Sequence, residues 1–276
     1  MKTLYISDLD GTLLNNKSKI TSHTADLLNR ISDNGVLFTV ATARTLSTTV
    51  PILSGLRLKC PLVLMNGVCL FDPVKKKTIL THGIDHKTGR RIEDIFHKYG
   101  KYPLVYFEKN SKMRVEYQKL TTQSQKDYVG LRQQFYHKDF IQVDDFSFYG
   151  DNNFIYVVTL DKKEEIDPIY REICSMQELD CNFYMDTYSG EYFLEISTKG
   201  VSKASGALWV KEKMNADRLV AFGDNMNDLA LFQIADESYA TSNACEELKS
   251  AATGVIGSNE EDAVAEYIFK RYCKEK

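Results

Sequence analysis

The sequence predicts an α/β protein: a doubly wound, mainly parallel, Rossmann-like sheet interrupted by an inserted α+β unit. Three observations carry this reading. Short, nearly continuous apolar runs alternate with helical stripes toward both ends of the chain, as strands covered on both faces do. Several of these runs end in carboxylates or small polar residues, at the rim where open parallel sheets hold ligands. Hairpins then mix with helices in the middle, where eleven of the 16 tyrosines fall between Gly83 and Gly190. A length of 276 residues suits about two domains of roughly 150 residues each. We therefore place a core at 1–83 and 190–276, and an inserted unit at 84–189.

The elements follow from local pattern. Leu4-Tyr5-Ile6-Ser7 reads as the first strand, closed by Asp8-Leu9-Asp10-Gly11. Thr21–Thr24 starts a helix whose stripe of Ala25, Leu27, Leu28 and Ile31 stops at Asn34-Gly35. Val36–Ala41 is a second buried strand, Thr45–Leu53 a helix, and Pro61–Met65 a third strand ending at Asn66-Gly67. A short hairpin runs through Phe71-Asp72-Pro73, with the lysines 75–77 a solvated turn. In the insert we expect a helix at His86–Tyr99 and a hairpin of Leu104–Glu108 with Met113–Tyr117. A helix within Leu120–Tyr136, a strand at Phe154–Leu160, a helix at Lys163–Met176 and a strand near Cys181–Asp186 complete it. The tyrosines are read here as strand formers. After Glu195–Ser197 the α/β pattern returns, with helices at Val201–Met214 and Met226–Ile234 around a strand at Arg218–Phe222. Short β pieces at Tyr239-Ala240 and Gly254–Ile256 alternate with helices near Ala244–Ser250 and Glu260–Tyr272.

Composition excludes several function classes. The 43% hydrophobic and 26% charged residues are ordinary for a globular protein. A net charge of −3 gives no basic field for nucleic acid or an anionic membrane. The apolar runs are far too short to cross a bilayer. Six cysteines lie scattered with no C-x-x-C pair, so we expect reduced thiols and not a disulfide framework. Met1-Lys2 passes straight into a strand with no leader pattern, and a cytoplasmic location is expected. Composition leaves the oligomeric state open.

The chemistry converges at the carboxyl ends of the strands. Asp8 and Asp10 are two residues apart, so a strand would point both to one spot. Taken alone, the pair serves equally as a metal site or as a solvated polar turn. Thr42 and Asn66 end the next two strands, and Gly223-Asp224-Asn225-Met226-Asn227-Asp228 follows the strand near residue 220. Asp8, Asp10, Asp224 and Asp228 suit a hard divalent cation, since Mg²⁺ takes oxygen ligands. The five histidines are dispersed, so no zinc-type set competes. Four carboxylates exceed what one ion needs, unless one attacks as nucleophile and another moves protons. Thr42 and the N–H groups after it could hold a phosphate. Lys203, at a helix start, could add a positive charge, although taken alone it is a solvated surface lysine. Asn227 could bind the same oxygens or simply cap its helix.

Asp8-Leu9-Asp10-Gly11-Thr12, Ala41-Thr42-Ala43-Arg44, Lys199–Lys203 and Gly223–Asp228 together resemble the four signature motifs of the haloacid dehalogenase superfamily. Their order, with an insert between the second and third, is similar to the Cof-like sugar-phosphate phosphatases with a C2-type cap. One departure is Ala204-Ser205-Gly206 after Lys203, where glycine often follows the lysine directly. The resemblance implies Mg²⁺-dependent hydrolysis of phosphomonoesters of small metabolites through an aspartyl-phosphate. It makes Asp8 the nucleophile and a Mg²⁺ ligand, and Asp10 the acid and base whose backbone carbonyl also binds Mg²⁺. Leu9, Thr42, Ala43, Lys203 and Asn227 would hold the phosphoryl oxygens. Asp224 would ligate the ion, and Asp228 would orient that shell from behind. The partner is then a small phosphorylated metabolite, with Arg114, Tyr117 and Tyr188 as candidate contacts from the cap. The alternatives are a phosphomutase of the same superfamily and a non-catalytic phospho-sensor.

Overall fold

A computed structural model describes residues 1–109, 111–136, 139–146, 153–185 and 190–275. In chain order the first segment holds β1 (Thr3–Ser7), α1 (Ser22–Asp33), β2 (Leu37–Val40), α2 (Leu46–Ile52), β3 (Leu62–Leu64), β4 (Cys69–Asp72) and β5 (Lys77–Thr81). The middle holds α3 (His86–Lys98), β6 (Leu104–Lys109), β7 (Lys112–Tyr117), α4 (Gln123–Tyr136), β8 (Asp139–Gln142), β9 (Asn153–Asp161), α5 (Lys163–Cys174), β10 (Leu179–Met185) and β11 (Tyr192–Thr198). The last segment holds α6 (Lys203–Lys213), β12 (Arg218–Gly223), α7 (Leu229–Ile234), β13 (Glu237–Ala240), α8 (Glu246–Ala251), β14 (Gly254–Val255) and α9 (Ala263–Glu275). The chain divides into one compact unit of Met1–Leu80 with Ser202–Lys276, and another of Thr81–Val201.

In the first unit the strands lie in the order β14-β13-β12-β1-β2, and each of these pairings is parallel. A parallel bridge of Ala41 to Val63 continues the order to β3. Alternating residues of β1 and β12 feed two different cores, as the two-residue period of a strand requires. Tyr5, Val220 and Phe222 pack with Leu27, Leu28 and Ile31 of α1 and Val264 and Ile268 of α9. Leu4, Ile6, Leu219 and Ala221 pack with Ala207 and Val210 of α6 and with Leu231, Phe232 and Leu248. Each such buried aliphatic side chain contributes about 1.5–3 kcal/mol. Both faces are therefore covered, which leaves the carboxyl rim of the strands for polar groups.

The second unit is a six-stranded sheet ordered β10-β11-β9-β6-β7-β8. Ile92 and Phe96 of α3, and Ile166, Ile169 and Ile173 of α5, pack on Val105, Phe107, Val157, Leu194 and Ile196. Tyr106 and Tyr156 leave β6 and β9 on the alternate residues, and both are buried. The Tyr106 hydroxyl meets that of Tyr128 on α4 at 3.0 Å. These tyrosines build the seat of a helix, in keeping with their reading as strand formers.

The structure moves the expected boundaries. The core does not resume at residue 190, because β11 pairs antiparallel with β10 from Tyr192 to Thr198 and with β9 from Tyr192 to Ile196. At the other junction, Ile84 N–H donates to Phe154 O at 2.7 Å and the Thr198 hydroxyl donates to Gly83 O at 2.8 Å. Long-range pairing of this kind leaves no local mark on the sequence. The strand β8 was not expected at all; it adds to β7 in parallel from Asp139 to Gln142.

The β13 side of the first unit is held by charge. Glu237 on β13 accepts from Arg271 of α9 at 2.5 and 3.0 Å, from the Tyr239 hydroxyl at 2.7 Å, and from Arg218. These partners, Arg271 first, hold its carboxyl down from 4.5 to about 2. A depressed carboxylate stabilises the fold fully above its unfolded value and loses that contribution as pH falls through its folded one. Glu237→Gln should therefore lower stability at pH 7 by about 1 kcal/mol. Chemical denaturation should show the gap to wild type closing as pH falls from 4.5 toward 2. A gap that is constant with pH contradicts this role.

Candidate functional site

The end of β1 is shaped by backbone demands. Asp8 N–H donates to Phe222 O at 3.0 Å, which keeps its Cα in line with β12. The chain then winds tightly through Leu9–Leu13, with Leu14 N–H returning to Leu9 O at 2.8 Å. Gly11 sits at φ 73, and a Cβ there would lie 2.2 Å from an Asp224 carboxylate oxygen. Only glycine allows both the left-handed turn and that approach. Asn243 Nδ2 donates to the Gly11 carbonyl at 2.8 Å, with the Thr241 hydroxyl at 3.3 Å, so β13's exit loop fixes the same turn.

Three carboxylates meet here. Asp8, Asp224 and Asp228 each offer an oxygen within 4.8 Å of the others. Asp8 is 5% exposed and Asp228 0%. Lys203, 2% exposed at the first turn of α6, reaches both: its Nζ is 2.8 Å from Asp8 Oδ1 and 2.7 Å from Asp228 Oδ1. Burial alone would depress this lysine, but the two carboxylates override it and hold the ammonium well above its ordinary value. The second Asp228 oxygen accepts from Asp224 N–H at 3.1 Å and Asn225 N–H at 3.3 Å. Gly223 permits this fold-back, since a Cβ there would stand 2.6 Å from Asp228 Oδ2. Asp228 is thus spoken for on both oxygens and acts as a brace behind the other two.

Burial pushes Asp8 up to about 7, opposed by Lys203 and reinforced by Asp228. Burial likewise raises Asp224 to about 6, with Asp228 adding to it, while Thr12 donates to Asp224 Oδ1 at 3.0 Å and lowers it. One lysine does not balance three converging carboxylates, and the donor set is oxygen throughout. That combination fits a hard divalent cation.

An open cleft of about 290 Å³ lies over this cluster, lined by Asp8, Asp10, Thr42, Ala43, Asp224 and Asn227 among others. A larger groove of about 470 Å³ lies at the opposite end of the sheet, around Met1, Lys2 and Tyr272. It has no converging carboxylates, so the smaller cleft is where the chemistry can occur. Thr42 is buried at the end of β2, and its Oγ1 accepts from Arg44 N–H at 3.1 Å, which leaves its O–H free to donate into the cleft.

The structure brings together most of the residues singled out by sequence. Asp8, Asp10, Thr42, Ala43, Asp224 and Asn227 line one cleft, with Lys203 and Asp228 beneath it. Leu9 contributes backbone only, because its side chain is wholly buried in the core. Asp10 stands apart from the carboxylate trio. Its side chain is 52% exposed and gripped by Arg44, with Nε to Oδ2 at 2.7 Å and Nη2 to Oδ1 at 2.6 Å. Arg44 closes the Ala41-Thr42-Ala43-Arg44 motif, and its place two residues beyond Thr42 is the available signal for this contact. Asn243 was missed, and an asparagine in a loop gives no local signal. In the second unit Arg114 is engaged by Glu116 at 2.8 Å, and Tyr117 is half-buried in β7. Tyr188 lies outside the described residues.

Comparisons with known proteins place the whole chain in a family. A family model described as haloacid dehalogenase-like hydrolase matches residues 5–268. The chain is 27% identical over 286 aligned residues to the 5-amino-6-(5-phospho-D-ribitylamino)uracil phosphatase YwtE of Bacillus subtilis, covering 97% of each. It is 23% identical to the pyridoxal phosphate phosphatase YbhA of Escherichia coli, covering 95% of this chain and 96% of that one. The fold superposes on a haloacid dehalogenase-like hydrolase from Bacteroides thetaiotaomicron with a TM-score of 0.79 and 23% identity, covering 99% and 100% of the two chains. Among the described residues, no helix is long and apolar enough to cross a membrane. With its motifs assembled on one rim and its whole length matched, the chain belongs to the haloacid dehalogenase-like hydrolases, as a phosphatase of their Cof-like branch.

Proposed function

We propose that the protein hydrolyses phosphomonoesters of small metabolites, with sugar phosphates as the substrate class, using Mg²⁺ and a phosphoryl-aspartate on Asp8. The observation that carries this is the buried Asp8, held by one oxygen on Lys203 and facing the cleft beside Asp224. The names of the two relatives, a phospho-ribitylamino compound phosphatase and a pyridoxal phosphate phosphatase, support small phosphorylated metabolites as the substrates. We place the reaction in the cytoplasm and assign substrate selection to the unit of Thr81–Val201, in the role of a cap.

Asp8, Asp224 and the backbone carbonyl of Asp10 are the ligands in this reading, with Asp228 holding Asp224's loop in place. Bound there, Mg²⁺ supplies charge neutralisation for the carboxylates and the phosphoryl group. The remaining work belongs to side chains. Lys203 fixes Asp8 through Oδ1, so Oδ2 is the oxygen that attacks phosphorus. The Thr42 hydroxyl, the Lys203 ammonium, the Asn227 amide and the N–H groups of Leu9 and Ala43 donate to the three phosphoryl oxygens. Positioning and charge are what phosphoryl transfer chiefly demands. Asp10 gives a proton to the departing alkoxide as the phosphorus–oxygen bond to the substrate breaks. It then takes a proton from the water that attacks phosphorus, and Asp8 leaves as a free carboxylate. To do this Asp10 must exchange Arg44 for the leaving group, and its exposed position at the cleft mouth leaves room for that.

Asp8→Asn should lower phosphate release from an aryl phosphate, or from any active member of a sugar-phosphate panel, by at least about 10³-fold. Activity should vanish with EDTA and return with Mg²⁺. An unchanged rate for Asp8→Asn refutes the nucleophile, and EDTA-resistant turnover refutes the metal. Removing Lys203 tests the buried triad separately. Lys203→Met should cost about 3 kcal/mol of stability in urea unfolding, because it leaves carboxylates buried without their cation, and a loss below about 1 kcal/mol would show that Lys203 does not hold the cluster together.

A further inference from the structure

The insert contains two thiols that the reaction does not use. Cys174 is the last residue of α5 and is exposed; Cys181 is the third residue of β10 and is half-buried. One turn earlier on the helix, Tyr170 stacks on Phe183 of the same strand, with ring centroids 4.6 Å apart at 21°. Four residues of helix advance about 6 Å, and two residues of strand about 6.6 Å. A helix and strand locked together at Tyr170 and Phe183 and running in opposite directions must therefore also match at Cys174 and Cys181. They do: Cys174 lies close enough to Cys181 to push the Cys181 thiol up, and close enough to Tyr170 to raise its hydroxyl. The alternation along β10 agrees, since Cys181 and Phe183 are half-buried toward α5 while Asn182 and Tyr184 are exposed.

We propose that Cys174 and Cys181 form a reversible oxidation site, closing to a disulfide with a low-molecular-weight disulfide such as oxidised glutathione. The exposed Cys174 thiolate attacks one sulfur of the reagent, which leaves as a thiol carrying the proton from Cys174. The Cys181 sulfur then attacks Cys174, its proton going to the second reagent thiol as that leaves. Two protein thiols are oxidised to one disulfide and one reagent disulfide is reduced to two thiols. The order follows from access. Burial and the neighbouring Cys174 push the Cys181 thiol well up, so it is the poorer first nucleophile. A pair brought face to face across a helix and a strand by the Tyr170–Phe183 stack needs little movement to reach bonding geometry. The product would tie the end of α5 to β10 and make that hairpin of the second unit sensitive to the thiol–disulfide balance.

Both cysteines fall in one tryptic peptide, Glu172–Lys199, which makes the test direct. The whole protein is treated with oxidised glutathione, alkylated, digested without reductant and mapped by mass. The wild-type peptide should lose two hydrogens, carry no glutathione, and regain two alkylatable thiols after reduction. Cys181→Ser should retain glutathione on Cys174, because nothing resolves the mixed disulfide. Cys174→Ser should leave Cys181 unmodified. A wild-type peptide that stays reduced, keeps a glutathione adduct, or links two chains through Cys174 overturns the proposal. So does glutathione on Cys181 in Cys174→Ser, which would reverse the order of attack.

Discussion

Lys203 lies 2% exposed between Asp8 and Asp228, 2.8 and 2.7 Å from their oxygens, and the geometry of the rim depends on this buried triad. Three charges removed from water cost several kcal/mol each unless they satisfy one another. Here the cost is offset by close pairing and by the backbone N–H groups of Asp224 and Asn225 on Asp228. The result is a carboxylate that cannot rotate away. One oxygen of Asp8 is tied to the ammonium and the other faces the cleft.

The triad also joins segments that are far apart in sequence. Asp8 ends β1, Lys203 opens α6, and Asp228 follows β12. Parallel pairing of β1 with β12 brings two of these ends together. The packing of Ala207 and Val210 against Leu4 and Ile6 sets the height of α6. The apolar cores are thus the means by which the charged groups are placed. Three carboxylates against one lysine leave negative charge in a buried place, and that surplus is why a divalent cation belongs in the account.

Much of this was legible in the chain. Nearly continuous apolar runs such as Val36–Ala41 foretold two covered faces, and the polar ends of four separated strands foretold a shared rim. Local pattern reached most elements, though not β8, because burial and period are local properties. It did not reach the division between the units, since β11 reads as readily into the core as into the insert until its pairing with β9 and β10 is known. Nor did it reach the grip of Arg44 on Asp10 or of Asn243 on the Gly11 carbonyl. Both are contacts between loops, where spacing carries no period.

The central claim is that Asp8 itself takes the phosphoryl group. The stereochemical course at phosphorus tests it most directly, using a substrate made chiral at phosphorus by isotopic oxygen and a sulfur atom. Two successive in-line displacements, one by Asp8 and one by water, predict overall retention of configuration. Inversion would mean that water attacks the substrate directly, and would contradict the account.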